Sequence, residues 1–438
     1  MRIPNWLRPG AKVKRWILLG ILGLVITSFG LGKLIDGRFR ANLAVFYLIS
    51  AAGAAIIIIS YKFGMKSVLR LISDVGVDAC TGINKLSSLV YEKRLLIKGP
   101  KIVVIGGGTG LSTMLRGLKH YTSNLTAIVT VADDGGGSGV LREELGILPP
   151  GDIRNCLLSL ADTEPVMENL LQYRFTDGML KGQSFGNLFI AAMNGISDNF
   201  EEAIKKMSEV LAVTGQVLPV TLSDVKLFAE LEDGTIVKGE SEITKRTQNV
   251  PIKRVFIEPS NVYPLDEAVN AIREADAIVF GPGSLYTSII PNLLVDDIAR
   301  HIEDSGAVKI YVSNIMTQPG ETIGYSVCDH IDAIHKYCRK RIINYVIAND
   351  GKIPRWLYGK YIEEGAQEVN IDRNNILKEN IKLVEDNLVY VHNNLVRHNT
   401  NKLDRLIIDI VLNERISKDK KRTLEYYYLN ERLKERRI

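Results

Sequence analysis

The chain has 438 residues, more than one soluble core of roughly 250 to 300 residues accommodates, so more than one structural unit is expected. With 24% charged and 46% hydrophobic residues, it is neither a disordered polymer nor wholly embedded in a membrane. The net charge of +5 is modest and the basic excess gathers at the two ends, which argues against a nucleic-acid-binding stripe inside the fold.

Trp16–Ile35 is almost wholly apolar, and Ala41–Tyr61 carries no charge. About 20 such residues at 1.5 Å each cover the ~30 Å hydrocarbon core, so the pattern predicts two transmembrane helices. The short connector Asp36–Arg40 makes them a hairpin. A cleaved signal peptide fits poorly, because no small-residue cleavage site follows and a second apolar stretch comes at once. Arg2, Arg8, Lys12, Lys14 and Arg15 precede the pair, and Lys62, Lys66 and Arg70 follow it. Basic flanks stay inside, so the expected location is the cell membrane with the large domain cytoplasmic. Residues 66–100 read as a stalk helix on the membrane surface or a plain linker helix.

The first strand signal is Lys101–Ile105, followed by Gly106, Gly107, Gly108, Thr109 and Gly110 and then a helical pattern. Glycines let a backbone approach a phosphate, and a helix N-terminus offers free N–H groups, so the turn is a candidate anion cradle. Leu111 stands where a strict dinucleotide fingerprint needs glycine, which disfavours a nicotinamide oxidoreductase. Leu125–Ala132 is the next apolar run. It ends in Asp133 and Asp134, then Gly135, Gly136, Gly137, Ser138 and Gly139. Carboxylates beside phosphates are the usual way Mg²⁺ is held, so Asp133 and Asp134 are candidate Mg²⁺ ligands, with no tightly bound cofactor expected. Arg142, Asp152, Arg154 and Asn155 follow as candidate ligand contacts, and capping or surface roles stay open for Asp152 and the two arginines.

Ser184–Leu188, including Asn187, opens a long helical pattern to Leu211, and a β-rich excursion is expected over about Gln216–Ile257, with a turn at Asp233 and Gly234. Ala275–Phe280 repeats the strand pattern and ends in Gly281, Pro282, Gly283 and Ser284, with Tyr286 and Thr287 supplying hydroxyls. Val308–Val312 runs into a polar loop holding Asn314 and Thr317. Four such loops converge if their strands lie parallel in one doubly wound sheet, where ligands bind outside the carboxyl ends. Downstream, Tyr345–Tyr358 is expected to supply an edge strand and Lys402–Asn413 a helix. The expected layout is a hairpin at 1–65, a stalk or linker at 66–100, a nucleotide-binding domain at 101–413 and a charged tail at 414–438. Cys80, Cys156, Cys328 and Cys338 show neither zinc spacing nor a disulfide framework. No histidine sits in a glycine loop, and His330 is the one worth testing.

The stretches VIGGGTGLSTMLRGLK, DDGGGSGVLREELGILPPGDIRNCL, FGN, FGPGSLYTSIIPNLLV and NIMTQPGET resemble the YvcK family of gluconeogenesis factor-like proteins. That family lies among CofD-like proteins, whose namesake is a 2-phospho-L-lactate transferase. The resemblance spans about Lys101–Ile334. It implies a Rossmann-like, CofD-like α/β fold and a UDP-N-acetylglucosamine-like ligand, with Tyr286 in the motif where sugar-nucleotide binding is placed. It also implies a regulatory role linking carbon metabolism to cell-wall synthesis and cell shape, with cell-wall synthesis proteins as partners and self-association left open. A Mg²⁺-dependent CofD-type transferase is the alternative. This chain departs from the family in its N-terminal hairpin and in Gly137, which replaces a serine hydroxyl of the second loop.

Overall fold

The computed structural model describes residues 13–35, 43–73, 96–246 and 250–418. The chain divides into two compact units, Met1–Arg94 and Leu95–Ile438.

In the first unit, helices Val13–Ile35 and Leu43–Ser73 lie against each other. Trp16 stacks on Phe63 at 5.1 Å, and the Ser60 hydroxyl donates to the Trp16 carbonyl. Small residues line the seam. A side chain at Gly53 would meet the Thr27 backbone nitrogen at 2.6 Å and the Gly23 carbonyl at 2.9 Å. Large apolar side chains such as Leu18, Val25, Leu48 and Ile58 face outward. Among the described residues one segment, Ala44–Met65, is long and apolar enough to cross a membrane, while Leu18–Leu34 is a shorter apolar stretch. Of the two full spans expected from the sequence, one is thus shown, the apolar stretch of the first helix being the shorter. Lys66–Ser73 continues the second helix without a break, and the rest of the expected stalk lies outside the described residues.

The second unit is built on a seven-stranded sheet, β1 (Ile102–Gly106), β2 (Leu125–Val129), β3 (Gln216–Pro219), β7 (Ala277–Phe280), β8 (Val308–Val312), β9 (Tyr345–Asn349) and β10 (Lys382–Asp386). Its order is β10-β9-β8-β7-β1-β2-β3, and every neighbouring pair is parallel. β1, β7 and β8 are buried along their whole length, as expected of parallel strands covered by helices on both faces. Ile102 pairs with Leu125 on one side and Ala277 on the other, so the strand order reverses at β1. This is the Rossmann-like arrangement expected from the sequence, and its crevice lies beyond the carboxyl ends of β1 and β7.

β4 (Lys226–Leu231), β5 (Ile236–Lys238) and β6 (Ile252–Glu258) form a separate antiparallel sheet. The hairpin turns at Asp233, whose carboxylate accepts from Thr235 N–H at 2.9 Å. The excursion is shorter than expected: Gln216–Pro219 pairs with β2 in the main sheet, because its three buried residues complete that core. The long pattern after Ser184 is two helices, Phe185–Gly195 and Phe200–Val210, with Asn199 capping the second. Tyr345–Asn349 is covered by β10 and is not the edge. The last helix, Thr400–Lys418, runs into the expected tail, of which 419–438 lies outside the described residues. β11 (Val389–His392) and β12 (Leu395–His398) form a hairpin turning at Asn393 and Asn394, both with positive φ.

Candidate functional site

Four loops meet as the parallel sheet requires, around a cleft of about 440 Å³. That is the scale of small-molecule sites. Gly107, Gly108, Thr109 and Gly110 come from the end of β1. Asp133 comes from β2, Gly283 and Ser284 from β7, and Asn314 and Thr317 from β8. The Asn314 amide donates to the Gly283 carbonyl at 3.0 Å, and Gln318 donates to the Ser284 hydroxyl at 2.8 Å, so the last two loops brace each other.

The first glycine turn is not an open cradle. Asp152, in the first turn of helix Gly151–Leu160, accepts from Gly108 N–H at 2.7 Å. Gly107 makes this approach possible, since a Cβ there would lie 2.5 Å from the same carboxylate oxygen. The β7 turn is likewise filled from within. Glu321 accepts from Tyr286 N–H at 3.0 Å and from the Thr287 hydroxyl at 3.1 Å, and it is buried. Carboxylates complement the positive end of a helix, which is why both acids settle there.

The near end of the cleft is acidic. Burial pushes Asp152 up to about 6, with the Gly108 N–H opposing and neighbouring Asp133 adding to the rise. Burial also raises Asp133, against hydrogen bonds from Gly135 and Ser138. Glu240 is held well above the usual carboxylate range by burial and then by Asp133 and Asp152, and its Oε2 has no partner. The wall is completed by Tyr361, Glu364, Val396, Arg397, His398, Thr400 and Leu403 from the C-terminal part of the chain. Burial lowers His398 to about 4, so its ring is neutral, with Nε2 3.0 Å from the Ser313 carbonyl. Arg397 is therefore the permanent cation among the residues lining the cleft.

The sequence model of the CofD family, described as 2-phospho-L-lactate transferase CofD, matches residues 102–389. The chain belongs to the CofD family. Among curated relatives, a Clostridium acetobutylicum protein of the gluconeogenesis-factor type is 53% identical, aligned over 100% of this chain and 98% of its own length. The gluconeogenesis factor of Bacillus subtilis is 48% identical over 71% of this chain and 98% of its own. The crystal structure of a UPF0052 family member from Bacillus halodurans superposes with a TM-score of 0.67 at 46% identity, covering 70% of this chain and 98% of that one.

Within this CofD-family cleft, ten of the residues singled out by sequence lie on the wall: Gly107, Gly108, Thr109, Gly110, Asp133, Asp152, Gly283, Ser284, Asn314 and Thr317. Others support it from behind. Arg142 is buried, donates to the Asp133 and Val225 carbonyls and pairs with Asp224. Arg154 donates to Ser184, Asn187 and Asn155 and ties two helices together. Ser138 bonds Asp133, while Gly136 and Gly281 shape their turns with φ of 48° and 75°. Tyr286 and Thr287 are buried in the core, with the Tyr286 hydroxyl 2.8 Å from that of Tyr325. His330 is also core, stacked with Tyr311.

Asp134 turns away from Asp133. Its carboxylate caps helix Glu240–Lys245 through Ser241 N–H at 2.9 Å and faces a neighbouring recess with Arg142 and Lys238. Among the described residues, no three His, Cys, Asp or Glu gather closely enough to hold a metal ion. Sequence reasoning missed Glu240, Gln318, Tyr361, Glu364, Arg397, His398 and Thr400. Only the Asn393-Asn394 turn signalled a hairpin that would carry Arg397.

Proposed function

We propose that this CofD-family protein is a membrane-anchored regulator that binds a nucleotide sugar, with UDP-N-acetylglucosamine or a close relative as ligand. Through that ligand it would link carbon metabolism to cell-wall synthesis and cell shape, acting on cell-wall synthesis proteins. The observation that carries the reading is the cleft at the reversal of strand order and the mixed chemistry of its wall. Glycine turns and acids line it together with Arg397, Tyr361 and aliphatic side chains. A ligand with both phosphates and a ring system matches such a wall, its phosphates toward the Arg397 guanidinium.

The transferase alternative rests on Asp133 and Asp152, two acids on the cleft wall of which Asp133 adds to the rise of Asp152, since carboxylates beside phosphate oxygens are the usual way Mg²⁺ is held. Mg²⁺ there would be held by Asp133 and Asp152, and would neutralise charge on a transferring phosphoryl group. For the anchor, outward apolar side chains and inward small residues suit a helical hairpin in lipid, with the basic flanks setting the Leu95–Ile438 unit in the cytoplasm.

The test is calorimetry on Leu95–Ile438, whose extent corresponds to free-standing relatives. UDP-N-acetylglucosamine is expected to bind and to be recovered intact, and Arg397→Ala to weaken it roughly tenfold to a hundredfold. Absence of binding by the parent unit sinks the reading, and a Mg²⁺-dependent product favours the transferase.

A further inference from the structure

Helix Arg355–Glu363 is held to the Leu95–Ile438 unit by one side. Leu357 is fully buried in a small apolar cluster with Ile353, Ile315, Met316 and Val396, apart from the main core, and Tyr361 packs against it. The Tyr361 hydroxyl also accepts from Val396 N–H at 2.8 Å, which ties the helix to β12. Leu357 and Tyr361 are four residues apart, so they mark one face of the helix as its anchor. The opposite face is open: a side chain built on Gly359 would meet nothing within 4 Å.

That outer face mixes aromatic and basic groups. Trp356 is 64% exposed and Ile362 54%, with Tyr358 exposed beside them. Lys352, Arg355 and Lys360 are exposed too, and no acid occurs between Lys352 and Ile362. Glu363 and Glu364 come only at the helix end, where Glu364 stands 3.8 Å from Lys360 and lines the cleft.

The interleaved cations decide what covers Trp356. Protein interfaces are depleted of lysine, whereas a bilayer surface takes Trp and Tyr at headgroup level and draws Lys and Arg to its anionic lipids. The same chain carries a segment, Ala44–Met65, long and apolar enough to cross a membrane, so lipid is the partner at hand.

We propose that helix Arg355–Glu363 is a peripheral membrane contact, which lies on an anionic lipid surface with Trp356 at headgroup level. Lys352, Arg355 and Lys360 supply the attraction, and Tyr358 and Ile362 the apolar contact. The inference goes beyond the ligand reading and does not depend on what the cleft binds.

The experiment uses Leu95–Ile438, which lacks the apolar helices of the first unit and whose single tryptophan is Trp356. Vesicles of phosphatidylcholine, alone or mixed with phosphatidylglycerol, are titrated into the parent and into the double variant Arg355→Glu, Lys360→Glu, with co-sedimentation and Trp356 emission as readouts. Both substitutions lie on the outer face, and circular dichroism verifies the fold. The parent is expected to pellet with the anionic vesicles, its emission shifting to the blue and resisting iodide quenching. The double variant should bind at least about tenfold more weakly, since each cation near such a surface is worth roughly a factor of five. An unshifted Trp356 spectrum, equal binding to phosphatidylcholine alone, or undiminished binding by the double variant overturns the proposal. So does a blue shift without vesicles that grows with protein concentration alongside a doubled sedimentation mass, which would make a second copy of the chain the occupant.

Discussion

Glu321 is a carboxyl group placed where it has almost no water, and its titration should be visible in the stability of the whole domain. It is 2% exposed and rises to about 7, chiefly through burial, against donors from Tyr286 and Thr287 and the charge of Arg246. The unfolded chain holds its proton only below about 4.5. A carboxyl raised in the folded state stabilises fully below its unfolded value, and loses that contribution as pH rises through the folded one. At 1.36 kcal/mol per power of ten, the window between 4.5 and about 7 corresponds to about 3 kcal/mol. For a unit of this size that is on the order of 5 °C in melting temperature. Melting curves of Leu95–Ile438 and its Glu321→Gln variant, from about pH 5 to about pH 8, isolate the term, because other acids titrate equally in both proteins. The parent is expected to lose stability relative to the variant as pH rises. Parallel pH profiles, or a parent that gains on the variant at high pH, would refute the argument that Glu321 is held protonated.

Two further outcomes follow from packing. Arg142→Ala leaves the Asp133 and Val225 carbonyls without their donor beneath the acidic loop, and should cost about 2 kcal/mol in urea denaturation. In the first unit, Gly53→Leu places a side chain against Thr27 and Gly23, so the helices must separate. A disulfide engineered between Trp16→Cys and Gly64→Cys, whose Cβ atoms would stand 3.4 Å apart and should crosslink in the parent background, should then fail to form, and undiminished crosslinking would show that the seam does not depend on Gly53.

The main sheet was legible because its central strands are buried on both faces and so appear as unbroken apolar runs ending in glycine. β10 was not: Lys382–Asp386 is half-buried, alternates poorly, and carries charges into ion pairs at the sheet edge. At the site, the loops that converge were readable from their position after strands, whereas Glu240 arrives on the short helix Glu240–Lys245 and Arg397 on the second strand of a late hairpin, neither with a periodic signature. The least readable fact was occupancy. A sequence displays the N–H donors of a glycine turn, but it does not say that Asp152 and Glu321, 44 and 35 residues away, have already taken them.

The helix Thr400–Lys418 packs against Gly108–Leu118 and β8, and its Thr400 and Leu403 close the cleft that Gly107 begins. The pocket therefore has no existence on the ribosome until almost three hundred residues after its first glycine have been made. Contacts of such long sequence separation form late and slowly. A nascent or C-terminally clipped chain would keep much of its sheet and yet present only half a binding surface. Any molecule that needed the whole cleft would thereby report that synthesis had run through Leu403.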